Sequence, residues 1–264
     1  MSGSNPGFTS STDTRGVATV TLDRPQIHNA FDDALIAALT AELKRLDGDT
    51  GVRVVVLAGN GKSFSAGADL GWMKRMATYS EAENLKDGAA LATLMRTLDR
   101  LAKPTVAAVH GNAFAGGVGL VACCDIAIAA DGAQFALTEV KLGLIPSVIS
   151  PYVIRAVGAR IARRLFLTAE RFDAREARRL GLVHDVAPPE QLANAVEHVV
   201  FMLLEGGPAA LAASKELTSL VADAPIDDAL IAETARRIAR VRVSPEGQEG
   251  ITAFLEKRKP RWRV

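Results

Sequence analysis

Three stretches of the 264-residue chain hold residues that could do chemistry together. Ser65-Ala66-Gly67-Ala68-Asp69 follows an apolar run and opens a helical segment. Gly111–Gly119, reading GNAFAGGVG, does the same after a second apolar run. Glu139 stands in FALTEVKLGLIP, among mostly apolar neighbours. A helix start leaves its first N–H groups unpaired and carries partial positive charge. Glycines let a reacting atom approach such groups closely. Two of these turns aimed at one point would hold an oxygen that becomes negative during reaction. A carboxyl group in apolar surroundings has a raised pKa and suits proton transfer near neutral pH. Other readings stand beside these. The glycines permit close helix–strand packing, or one turn holds a phosphate; Glu139 and Lys141 form a surface pair. No G-x-G-x-x-G follows the first strand, and G-x-x-x-x-G-K-[ST] is absent, so neither nucleotide motif is supported.

The remaining reactive side chains are scattered. Cys123 and Cys124 are sequence neighbours, a poor geometry for pairing with each other, and read as small buried side chains in a reducing compartment. His28, His110, His184 and His198 lack metal spacing; His110 ends an apolar run and reads as structural. Asp125 reads as a cap or a structural pair. Trp72, Met73 and Met76 form either an ordinary apolar helix face or a pocket wall. The basic end Lys257–Arg263 is a solvated tail, a phosphate contact or a weak nucleic-acid contact.

The elements that must position these residues follow from periodicity. Gly16–Leu22 alternates and reads as a strand; Val52–Gly59, Thr105–His110 and Asp125–Ala130 read as strands buried on both faces. Helices are expected up to Leu46 (apolar at Leu35, Ile36, Leu39 and Leu43), from near Asp69, over Glu81–Leu101 and over Val118–Cys124. Alternating strands and helices predict a parallel α/β arrangement. After Pro188 the pattern turns to helices alone: Pro189–Leu204, Pro208–Val221, Asp227–Val241 and Pro245–Lys257. The apolar stretch Ala113–Ala130 reads as glycine turn, buried helix and strand rather than a membrane span. Met1–Arg15 is polar and has no apolar leader.

Composition is that of an ordinary globular chain, 48% hydrophobic and 23% charged. Thirty-one Lys and Arg against 30 Asp and Glu leave a net charge of +1, and aromatics are 5%, so neither a dedicated nucleic-acid binder nor a base-stacking platform is indicated. A soluble cytoplasmic protein is expected.

Six segments in order resemble the enoyl-CoA hydratase/isomerase (crotonase) superfamily from about Val17 to Trp262. They are VATVTLDRPQIHNAF, VVVLAGNGKSFSAGADL, KPTVAAVHGNAFAGGVGLVACCDIAIA, FALTEVKLGLIP, RFDAREARRLGLVHDV and GITAFLEKRKPRW. The resemblance implies a spiral of ββα turns over residues 1–188 and a helical trimerisation region over 189–264. It implies trimers, often paired into hexamers, and coenzyme A thioester substrates, with no separate cofactor, metal or membrane. The oxyanion hole then matches the N–H groups of Ala68 and Gly116. Ala66, Gly67, Asp69, Leu70, Trp72, Gly119 and Lys257 match substrate-contacting positions. Of the family's two catalytic glutamates, one matches Glu139 and the other matches Gly119, which has no side chain. Gly119 would thereby leave room for water or a branched acyl chain. ADLGWMKRMA, GGVGLVACCDIAIA and LTEVKLGLIPSVISPYVIRAVG look like bacterial methylglutaconyl-CoA and carboxygeranoyl-CoA hydratases, which act in leucine and acyclic-terpene breakdown. Lys74, Arg75 and Arg155 are then candidate partners for a distal substrate carboxylate. The single glutamate also suits an enoyl-CoA isomerase. A CoA-ester or RNA-binding protein with little catalysis is the reading from another class.

Overall fold

The computed structural model describes residues 7–263, so the expected polar start falls outside the described residues in its first six positions. The first half of the chain forms β1 (Phe8–Thr12), β2 (Val17–Leu22), α1 (Asp33–Gly48), β3 (Val54–Gly59), β4 (Ser63–Ser65), α2 (Leu70–Met76) and α3 (Glu81–Asp99). Then come β5 (Thr105–Val109), β6 (Asn112–Phe114), α4 (Gly116–Cys123), β7 (Ile126–Ala130), β8 (Gln134–Ala136), α5 (Ser150–Val157) and α6 (Ala159–Thr168). The rest forms β9 (Phe172–Asp173), α7 (Ala174–Leu180), β10 (Asp185–Ala187), α8 (Leu192–Glu205), α9 (Pro208–Val221), α10 (Asp228–Val243) and α11 (Pro245–Leu255).

The apolar runs become the middle of a six-stranded sheet ordered β1-β2-β3-β5-β7-β10. From β2 to β10 every neighbouring pair is parallel. The β-branched run Val54–Val56 fits this setting because both faces of a parallel sheet are covered. The parallel expectation fails at one edge. β1 pairs antiparallel with β2, in a stretch the sequence reads only as a polar start. Its threonines suit a strand, but four of its five residues are exposed, so no alternation betrays it.

A second sheet, β4-β6-β8-β9, is built from strands of two or three residues. Strands that short show no period of two. One of them, β6, lies within what the sequence reads as a glycine turn, and β4 runs into the other at Ser65. The chain thus winds as a repeated unit: β3, β4, α2; β5, β6, α4. This is the expected spiral of ββα turns followed by a helical region.

The large sheet buries alternate residues on its two faces. Ala18, Val20, Leu22, Val55, Leu57, Ala107 and Val109 face α1 and α3, whose Leu35, Leu39, Leu43, Leu94 and Leu98 are buried in the same core. Asp32 caps α1 through the Leu35 N–H, and Ser80 with Glu83 forms a capping box on α3. Val17, Val54, Val56, Val106 and Ile128 face the other way, onto Leu192, Val196 and Val200 of α8. The first long helix of the C-terminal region therefore packs on the sheet itself. Beyond it, α9 and α10 bury no residue and α11 buries Ala253 alone. Ile231, Ile238, Phe254 and Leu255 on α10 and α11 are exposed. Arg53 joins this region to the sheet, donating to the carbonyls of Leu204, Gly206 and Trp262 at 2.7–2.9 Å. Among the described residues no single helix is long and apolar enough to cross a membrane. The stretch Ala113–Ala130 falls in β6, α4 and β7, as its glycines and Asp125 suggest.

Candidate active site

Asn29 organises the first glycine turn. It is fully buried, and its amide donates to the carbonyls of Asn60 at 2.9 Å and Ser63 at 2.8 Å. Its Oδ1 accepts from the Arg24 N–H. Ser65 Oγ donates to the Asn29 carbonyl and accepts from the Gly67 N–H. Phe31 then brackets the turn: its N–H donates to the Gly67 carbonyl and its carbonyl accepts from the Asp69 N–H, both at 2.7 Å. Between these two bonds lies Ala68, whose N–H donates to nothing among the described residues.

The second turn lies against the first. Gly67 has φ +87°, and a Cβ there would come within 3.0 Å of Ala115 Cβ and 3.5 Å of Gly116 N. Ala115 itself has φ 47°, a left-handed conformation costly for a residue with a Cβ. That strain aims the start of α4. Gly116 is the first residue of the helix, where the N–H has no intrahelical acceptor. A Cβ on Gly116 would meet the Phe31 ring at 2.7 Å, and one on Gly117 would meet the Ser65 carbonyl oxygen at 2.4 Å. The close-packing reading of these glycines therefore holds together with the exposed N–H groups; the two do not compete.

Ala68, Gly116 and Glu139 line one cavity of about 380 Å³. Glu139 opens a short 3-10 turn, Glu139–Leu142, and is half-buried. Its Oε2 is buried with no hydrogen-bond partner among the described residues, and burial pushes its carboxyl above the ordinary range. No ion pair with Lys141 occurs among the described residues, so the surface-pair reading is not realised. The rest of the lining is largely apolar: Phe31, Trp72, Met76, Leu91, Val148 and Ile149 among others.

Gly119 requires a correction. The space beside it is not free for water or an acyl branch. Ile149 fills it, since a Cβ on Gly119 would lie 2.2 Å from Ile149 Cγ2, with Met95 Cε at 3.2 Å. Gly119 is buried and does not line the cavity; Ile149 lines it instead.

The other expected contacts are divided. Asp69 caps α2 by accepting from the Trp72 N–H, and Trp72 lines the cavity. Ala66 donates its N–H to the His28 carbonyl and lies outside the cavity lining, as does Gly67. Leu70 is 75% exposed and also outside it. Lys257 is exposed beyond α11 and is not part of the lining. Of the proposed carboxylate partners, Arg75 pairs with Asp33 and Arg155 with Asp99, and Lys74 is absent from the lining. No lysine or arginine of the described residues lines this cavity.

Sequence reading missed Asn84, Asp87, Gly88 and Leu91, which enter the cavity from α3. Their spacing of three, one and three is a helical stripe, and that stripe was the available signal. The bystanders have structural partners. His110 Nε2 donates to the Gly61 carbonyl at 3.0 Å, and burial holds its imidazole below the ordinary value. Asp125 Oδ2 accepts from Thr105 and from Lys215 Nζ. Cys123 and Cys124 are buried and free, and burial pushes the Cys124 thiol up to about 12.

Comparison with known proteins places the chain in a family. The enoyl-CoA hydratase/isomerase family model matches residues 12–264. The crystal structure of an enoyl-CoA hydratase from Shewanella pealeana is 47% identical, with a TM-score of 0.94, covering 97% of this chain and 96% of that one. The short-chain-enoyl-CoA hydratase of Clostridium acetobutylicum is 35% identical over 245 residues, 92% of either chain. The 2,3-dehydroadipyl-CoA hydratase of Escherichia coli is 33% identical over 245 residues, 92% of this chain and 94% of that protein.

Proposed function

The chain belongs to the enoyl-CoA hydratase/isomerase family, and on that premise we propose that it is a hydro-lyase. It acts on the double bond of a branched enoyl-CoA thioester, with Glu139 as its single protein acid and base. The observation that carries this is the unpartnered Glu139 Oε2 in the same cavity as Ala68 and Gly116.

The thioester oxygen sits between the Ala68 and Gly116 N–H groups. Those donors count most when enolate charge develops on that oxygen. Glu139, as carboxylate, takes a proton from water while the water oxygen bonds to the β-carbon. The π pair moves toward the thioester and forms the enolate. Glu139 then returns its proton to the α-carbon, and the net change is one added water. Dehydration is the same path reversed. The buried setting of Glu139 suits it to both halves, because a raised pKa makes it a better base and still a competent acid. Coenzyme A enters as part of the substrate.

The apolar lining suits a methyl branch near the β-carbon. For the acyl chain itself, 3-methylglutaconyl-CoA is the reading drawn from the sequence segments. Its distal carboxylate would need a partner from outside this protomer's cavity wall, which holds no lysine or arginine among the described residues. The uncovered apolar side chains of α10 and α11 support a homo-oligomer, a trimer or a hexamer. At the basic end Arg258 and Arg261 pair with Glu249, and Arg263 pairs with Glu205, which weighs against the nucleic-acid reading.

The test is to assay the purified protein with 3-methylglutaconyl-CoA and with a straight-chain 3-enoyl-CoA, reading products by mass. A gain of one water on the branched substrate is expected. A mass-neutral shift of the double bond would replace hydration with isomerisation by the same glutamate. No turnover of either would remove this substrate assignment.

A further inference from the structure

Trp72 is held at both ends. Its backbone N–H donates to Asp69 Oδ1 at 3.0 Å, and its indole Nε1 donates to Asp87 Oδ2 at 2.9 Å. The residue is 4% exposed, so its indole N–H has to find a partner within the protein. It belongs to α2, a helix of seven residues that follows directly on Ala68 and Asp69. A helix that short does not hold its own side chains in place. Asp87 comes from α3, which is rooted in the core by Leu94, Met95 and Leu98. The indole–carboxylate bond therefore ties a weak element to a strong one, and both partners line the cavity that contains Glu139.

We propose that Asp87 is a positioning residue that sets which acyl chains the site accepts, by locking the Trp72 indole as a rigid wall of the cavity. The proposal rests on the reading of this cavity as an acyl-CoA site. A fixed wall distinguishes chains that differ by one methyl group, because the ill-fitting chain loses contact or overlaps the ring. A wall free to turn follows whichever chain enters. What matters at position 87 is an acceptor for the indole N–H. Asp87→Asn keeps one through its amide oxygen, and Asp87→Leu removes it. Trp72→Phe removes the donor instead and keeps a ring.

Saturated thioesters test this by binding alone, without turnover. Isothermal titration of isovaleryl-CoA, butyryl-CoA and free CoA gives the ratio of the two acyl affinities for each protein. The wild type is expected to prefer one acyl chain. Asp87→Leu and Trp72→Phe are each expected to bring that ratio about tenfold closer to one, the scale of a methyl group in a fitted pocket. Free CoA binding stays unchanged, and Asp87→Asn keeps the wild-type ratio. The proposal is overturned if the wild-type ratio is near one, if Asp87→Leu or Trp72→Phe preserves it, or if Asp87→Asn loses it. A wild type that binds neither thioester removes the acyl-CoA reading and this proposal together. A wild type that binds both while Asp87→Leu keeps the preference removes this proposal alone.

Discussion

Two walls enclose the cavity, and they follow opposite rules. The wall of Ala68, Ala115, Gly116 and Glu139 keeps polar groups without protein partners and holds one alanine at φ 47°. The other wall is Ile149, and Gly119 and Met95 pack behind it with nothing left open: a single Cβ added to Gly119 would lie 2.2 Å from Ile149 Cγ2. The first is a place where the fold gives up stability, since unpaired buried polar groups and left-handed alanine are both unfavourable. The second is dense apolar packing of the kind that transmits no slack. The first wall can remain strained and unpaired because its surroundings over-determine it: Asn29, Phe31 and Ser65 fix one turn, and the Ser65 carbonyl leaves no room for a side chain at Gly117 in the other.

Breaking the first wall at its acid should have the largest effect. Glu139→Gln removes the proton carrier while keeping the shape. A general acid–base residue contributes about 10²–10⁴-fold, so kcat should fall by that range. Steady-state turnover of the preferred enoyl-CoA measures it. Turnover near that of the wild type would mean that the unpaired oxygen is not the proton carrier.

The second wall should respond in stability. Gly119→Ala places a methyl group where Ile149 already stands, and overpacking of this kind costs about 1–3 kcal/mol. Urea unfolding should show that loss. Removing Ile149 Cγ2 with Ile149→Ala should recover part of it, so that the double variant loses less than the sum of the single ones. Additive losses would mean that the two positions do not share one space.

Ala115→Gly sharpens the comparison in the opposite direction. Glycine adopts φ 47° without the Cβ penalty, although it also gains freedom in the unfolded chain. The net expectation is a stabilisation of about 1 kcal/mol, read as a raised unfolding midpoint. A lowered midpoint would show that Ala115 is not strained.

The two walls also differ in how far the sequence reveals them. The two glycine turns and Glu139 were legible, because glycine before a helix and a carboxylate among apolar residues are local signals; the choice of Ala68 and Gly116 within those turns came from the family resemblance. The buried runs of β3, β5 and β7 were legible for the same reason. The second wall was not. Ile149 lies 30 positions from Gly119 in the chain, and nothing local says that one side chain fills the other's space. Asp87 was hidden on a helix already accounted for by its apolar face. β4, β6, β8 and β9 are too short for any period to appear. β1 is an exposed edge, where burial leaves no alternation to detect.

The smallest expected effect tests the first wall without any substrate. Burial raises the pKa of Glu139 in the folded protein, whereas the unfolded chain keeps the ordinary glutamate value of about 4.3. The native state therefore holds this proton more tightly than the unfolded state. Its contribution favours folding fully below the unfolded pKa and is lost as pH rises through the folded pKa. Glu139→Gln cannot ionise and lacks this dependence. Relative to wild type, the variant should gain stability from acid to neutral pH and then hold that gain. The effect is modest because the residue is only half-buried. Thermal unfolding of the two proteins at matched pH values measures the difference. A constant difference across that window would mean that Glu139 ionises as easily in the folded protein as in the unfolded chain, and the first wall would then lose its claim to a perturbed acid.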